Sequence, residues 1–106
     1  MSHTLKILYV TCDSVERAEN LCRTLVSERL IACGNIIPGV RSIYRYQGKI
    51  HEDSEAAVLM KTSAEKAPAA MKRITELHSY DIPAVEVWAV EDAPEPFRKW
   101  VLEETS

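Results

Sequence analysis

The stretch IACGNIIPGVRSIYRYQGKIHEDSEAAVLMKT, Ile31–Thr62, decides the fold. Val40–Tyr46 is β-rich, Gln47-Gly48-Lys49 supplies a turn, and Ile50–Thr62 returns as a second strand. Before the first arm, Ile36-Ile37 is followed by Pro38-Gly39, so the strand is interrupted there. The result is a β-hairpin with long arms. Thirteen extended residues span roughly 40 Å. A compact chain of this length has a radius of gyration of only about 13 Å. The hairpin therefore overhangs its own core and exposes sheet edges, which invite pairing with another chain. A symmetric homo-oligomer follows as an expectation.

Working outward, Leu5–Thr11 reads as a buried strand. Asp13 and Glu16 form a capping-box-like pair ahead of a helix over Ser14–Leu30, whose apolar stripe is Val15, Ala18, Cys22, Leu25 and Val26. Thr62 and Glu65 similarly announce a second helix, which starts near Ser63 or Ala64, holds Pro68 in its first turn and ends near His78. Ile82–Val90 is the last strand, and Pro94–Glu104 a closing helix that buries Phe97, Trp100 and Val101. The order βαββαβ plus a helix is the ferredoxin-like one. It predicts an α+β sandwich with an extended hairpin, in a single domain over residues 1–106.

A net charge of −3 with scattered Lys and Arg gives no basic field for nucleic acid. No apolar run reaches the roughly 20 residues of a membrane span. The start Met1-Ser2-His3-Thr4 has neither the basic nor the apolar region of a signal peptide. A cytoplasmic protein is therefore expected, and its three irregularly spaced cysteines then read as reduced thiols, not a disulfide framework.

Cys22 lies on the first helix's apolar stripe and reads as a buried structural thiol. Cys12 stands where a strand gives way to a helix, a setting for a reactive or soft-metal thiol. Cys33 falls between a helix end and a strand. No CxxC pair exists, so a preformed structural zinc site is not expected. His78 either caps a helix dipole or offers a neutral imidazole to copper, nickel or zinc. His51, Glu52 and Asp53 read as a charged rim or a loose metal site. Tyr44 and Tyr46 share one side of their strand and Arg41 and Arg45 the other. Arg41, Arg45, Lys49 and Lys61 are candidates for an anion pocket, with Glu55 and Glu86 as counter-charges. There is no nucleophile–base pair, no Gly-rich phosphate loop and no G-x-S-x-G elbow, so nothing argues for an enzyme.

The run Ile31–Pro38-Gly39, continued by Ser42, Tyr44, Gly48, Lys49 and Ile50, resembles the CutA divalent-cation-tolerance family. The acidic stretch ending in Met60-Lys61-Thr62 extends the likeness, as do Leu77-His78, Tyr80 and Pro83. The resemblance implies a homotrimer knitted by its hairpins, akin to PII-type signal proteins. It also implies a role in divalent-cation tolerance, with copper as the favoured metal and no catalysis. His78 and Cys33 are then the candidate metal ligands. Lys49, Lys61, Tyr80 and Glu86 are candidates for a ligand cleft between subunits, the alternative being a PII-like ligand-sensing or docking scaffold with no essential metal. The family's proposed copper site takes a Cys late in the first strand and two adjacent His. Those positions are Val10 and Leu77-His78 in this chain. Ser79 and Ala84 also depart from the family pattern of Pro and Glu, and Tyr46 stands where Trp is frequent.

Overall fold

The computed structural model describes residues 4–106, so His3 lies outside the described residues. The elements are β1 (Leu5–Cys12), α1 (Val15–Ser27), β2 (Cys33–Tyr46), β3 (Lys49–Ser63), α2 (Ala67–Leu77), β4 (Val85–Ala89) and α3 (Glu95–Glu104). The strands form one antiparallel sheet in the order β2-β3-β1-β4. This is the ferredoxin-like α+β arrangement expected from the element order.

One face of the sheet packs on α1 and α2. Leu8, Val10, Ala56, Val58 and Met60 from the strands meet Ala18, Leu21, Leu25, Ala70 and Ile74 from the helices, all buried. A smaller cluster of Leu5, Ala32 and Val101 seats α3 at one end of the sheet. Of the three residues expected to be buried by α3, only Val101 is. Phe97 and Trp100 remain 38% and 41% exposed because the small Leu5 cluster covers just one turn of that helix.

The caps differ from the expected ones. Ser14, not Asp13, caps α1, its Oγ accepting from the Arg17 N–H at 3.1 Å. Asp13 instead pairs with the Arg17 guanidinium at 3.2 Å. The helix stops at Ser27, short of Leu30, because Arg29 turns left-handed (φ 62°) and Leu30 N–H returns to the Leu25 carbonyl. At α2 the Ser63 hydroxyl accepts from Lys66 N–H. Thr62, fully buried, instead donates to the Leu30 carbonyl at 2.7 Å. The last strand is shorter than predicted: it starts at Val85, after Ile82 and Pro83.

The hairpin turns on two residues, Gln47 (φ 50°) and Gly48 (φ 79°), with Tyr46 opposite Lys49. Positive φ at both positions is the type I′ signature that matches strand twist. At the predicted interruption, Ile37 faces Ala57 but Val40 faces Glu55, so Pro38 and Gly39 form a β-bulge. Gly39 carries φ 74°, which a side chain disfavours. The bulge switches which β2 residues share a face with the odd-numbered β3 residues. Beyond it, Ser42, Tyr44 and Tyr46 stand beside Asp53, His51 and Lys49.

Candidate functional site

Two concavities flank the junction of β1 with α1. The smaller, of about 160 Å³, is walled by Cys12, Arg17, Leu21, Leu77, His78 and Ser79 among others. β1 delivers Cys12 as its last residue, and α2 ends on His78, whose backbone leaves the helix extended (ψ 146°). The His78 ring is held at both nitrogens. Nε2 lies 2.8 Å from the Thr11 carbonyl and must donate to it. Nδ1 accepts from the Tyr80 N–H at 3.2 Å. These partners fix the neutral Nε2–H tautomer. The helix-dipole role foreseen for a charged imidazole is therefore not the arrangement observed.

Cys12 is buried, and that burial, helped by the neighbouring Cys22, Asp13 and Glu55, pushes its thiol up to about 11. Such a thiol is protonated near neutrality and is a poor nucleophile. A metal, however, displaces the proton. A thiol sulfur and an imidazole nitrogen form a soft donor set of the kind copper and zinc take. Cys12 and His78 thus fit a soft metal in chemistry, but they are only two donors. Among the described residues no group of three His, Cys, Asp or Glu is placed to hold an ion.

The larger concavity, of about 740 Å³, lies between the hairpin and the loop over residues 79–84. Its walls include Tyr44, Arg45, Asp53, Glu55, Tyr80 and Asp81. Glu55 is only 8% exposed, and its Oε2 accepts from the Tyr80 hydroxyl at 2.6 Å. Burial and this carboxylate push the Tyr80 hydroxyl up. The Tyr44 hydroxyl donates to Asp53, which pushes it up too. Tyr44 stacks on His51 at 5.3 Å, and His51 Nε2 donates to the Tyr46 carbonyl at 3.1 Å.

The remaining candidates disperse. Cys33 faces Lys61, while Thr11, beneath the His78 ring, faces Ala57. Those two β3 positions are about 13 Å apart along the strand, so one chain does not bring Cys33 to His78. Lys61 donates to Asn35 across the sheet. Lys49 lies at the hairpin tip, and Glu86, opposite Tyr9, accepts from Trp88 Nε1 at 2.8 Å. Of the four cleft candidates, Tyr80 alone lines the larger cleft. His51, Glu52 and Asp53 do not converge, because Glu52 points to the other face of the hairpin. The sequence reading placed Glu55 as a counter-charge and missed Asp53 and Tyr44 as its neighbours. Pairing counted from a two-residue turn finds them, since it sets Ser42 opposite Asp53 and Tyr44 opposite His51.

Residues 6–104 match the family model described as CutA1 divalent ion tolerance protein. The divalent-cation tolerance protein CutA of Pyrococcus horikoshii is 42% identical over 99 residues, covering 93% of this chain and 96% of that one. The crystal structure of CutA from Xylella fastidiosa superposes with a TM-score of 0.94 at 35% identity, covering 96% of this chain and 98% of the other. The structure described as the periplasmic divalent cation tolerance protein CutA from Archaeoglobus fulgidus gives 0.93 at 30% identity, covering 96% and 99%. No helix among the described residues is long and apolar enough to cross a membrane.

Proposed function

The chain belongs to the CutA1 divalent ion tolerance family, and from that premise we propose that it is a non-catalytic, metal-binding homotrimer serving divalent-cation tolerance, with copper as its metal. The observation that carries this reading is the placement of Cys12 and His78 on one pocket. Cys12, rather than Cys33, then supplies the thiol, and further donors come from a neighbouring chain or water. Bound there, copper is sequestered by soft ligands. His78 exchanges one backbone hydrogen bond for the metal, and Cys12 gives up its proton. Self-association is supported by the sheet face that α1 and α2 leave uncovered, where Ile37 is 48% and Trp88 40% exposed. Three free cysteines, two of them buried, suit the reducing cytoplasm, which we take as its compartment.

Calorimetric titration with Cu(II), and with Cu(I) against a competing chelator, tests the site. His78→Ala and Cys12→Ser are each expected to weaken binding roughly tenfold or more. Unchanged affinity in both variants would remove this pocket from the metal's path.

The larger cleft favours a second reading: a PII-like ligand-sensing trimer with no essential metal. Its volume is in the range of small-molecule sites, roughly 300–1,000 Å³. A thermal-shift screen with nucleotides, small anions and small amines probes it, because a ligand in excess of its Kd raises Tm by mass action.

A further inference from the structure

We infer that His78 takes a metal through Nδ1, in place of the Tyr80 N–H, so that metal binding releases the 79–84 loop and is registered on the opposite face of the sheet. The inference rests on the metal-binding reading of the smaller pocket. It adds the ligating atom and what occupying that atom does to the chain.

The two hydrogen bonds of the ring are not equivalent. Nε2 carries the proton and donates to the Thr11 carbonyl at 2.8 Å. A metal-ligating imidazole commonly keeps such a bond to a backbone carbonyl, which orients the ring and raises the basicity of its other nitrogen. Nδ1 holds the lone pair of the neutral ring, and the Tyr80 N–H takes it at the longer distance of 3.2 Å. One lone pair serves one partner, so a metal and the Tyr80 N–H exclude each other there. Ligation through Nδ1 keeps the Thr11 bond and costs only the longer one. Ligation through Nε2 costs both, because the proton must then move to Nδ1, where it meets the Tyr80 N–H.

The 78–80 corner carries the consequence across the sheet. His78 closes α2 on the helix side, the side to which β1 turns Leu8, Val10 and Cys12. Two residues later the chain has passed the end of β1. The Tyr80 hydroxyl donates to Glu55 at 2.6 Å, and Glu55 precedes the core residue Ala56, so it faces the other side. Ser79, between the two, lines both concavities. The Tyr80 ring also lies tilted against the His78 ring, with centroids 4.6 Å apart. Tyr80 is thus tied to His78 by its amide and to Glu55 by its hydroxyl. Among the described residues, 79–83 make no other hydrogen bond. Displacing the amide therefore loosens the loop and works against the bond to Glu55, on the face that α1 and α2 leave uncovered.

Nuclear magnetic resonance on the full chain tests this, with titration by Zn(II) and, under reducing conditions, by Cu(I). Both ions are diamagnetic. Proton–nitrogen correlation spectra of the imidazole should show the metal on His78 Nδ1 and the proton kept on Nε2. The Tyr80 amide should shift, and its exchange with solvent should speed up about tenfold or more. Coupling is reciprocal, so loosening the loop should favour the metal. Tyr80→Phe, which removes the tie to Glu55, is expected to bind metal about threefold to tenfold tighter in calorimetry, the effect of one hydrogen bond. If that variant fails to fold, the wild-type spectra still decide. Metal on Nε2, or metal on Nδ1 with the Tyr80 amide as protected as before, overturns the inference and leaves the metal-binding reading standing. Equal affinity in a folded Tyr80→Phe overturns the link to Glu55. No change at the His78 ring with either ion overturns the inference and the metal-binding reading together.

Discussion

At the scale of single residues, Gly34 is packed closely against Cys22 of α1. A Cβ built there would lie 2.5 Å from Cys22 Sγ and 3.4 Å from Cys22 Cβ. Gly34→Ala is therefore expected to destabilise the fold by about 1–3 kcal/mol. Cys22→Ala in the same chain should recover most of that loss, a coupling that a double-mutant cycle in denaturant measures. The thiols themselves carry a pH dependence. Burial holds Cys12 and Cys22 at about 11, against 9.0 when unperturbed. The folded chain keeps two protons that the unfolded chain releases above pH 9. Their stabilising contribution is complete below pH 9 and is lost as the pH climbs to 11. The Tm of wild type should fall more steeply across that window than the Tm of Cys22→Ala. Cys22 was legible in the sequence, because helical spacing set it on the apolar stripe. Cys12 with His78 was not, because their meeting depends on how α2 returns to the end of β1. Likewise Asp13 and Ser14 are both good caps by type. The ion pair with Arg17 that draws Asp13 away decides between them only in three dimensions.

At the scale of elements, the hairpin shows how far local chemistry reaches. Pro38-Gly39 announced an interruption, which is a β-bulge, and Gln47-Gly48-Lys49 a turn, which takes only Gln47 and Gly48 because Lys49 already pairs with Tyr46; between them they determine which side chains share each face. Gln47 occupies a left-handed position that suits Gly or Asn better. Gln47→Gly should raise stability by about 0.5–1 kcal/mol, and Gly48→Ala should lower it by about 1–2 kcal/mol. Urea titration monitored by circular dichroism separates the two signs. The loop between α2 and β4 marks the other limit. Its apolar Ile82 suggested strand, yet 79–84 wraps the cleft and leaves Ile82 71% exposed. Hydrophobicity alone could not tell a strand residue from one on a cleft rim. Tyr80 finds Glu55 across 25 residues, a contact that no local pattern encodes.

For the whole molecule, the question is what covers the apolar surface. The chain extends 44 × 26 × 22 Å, the long axis reflecting the hairpin. Ile43 and Ile50 near its tip are each 67% exposed, and Ile37 and Trp88 lie open on the sheet. Phe97 and Trp100, expected in the chain's own core, are also half open. A sequence pattern shows that a face is apolar but not whether its own chain or another buries it. Burial of an apolar side chain is worth about 1.5–3 kcal/mol, so a copy that covers several of these residues gains much of a stable association. The proposed trimer thus makes a measurable claim. Ile37→Glu combined with Trp88→Glu sets charges on the uncovered sheet face, where burial would leave them unpaired. Sedimentation equilibrium should find wild type at three chains and the double variant shifted towards monomer. The Tm of wild type should rise with protein concentration, and that of the variant should not. If both proteins sediment as monomers, the uncovered face is no subunit contact, and a metal site must be completed by water or a small ligand instead.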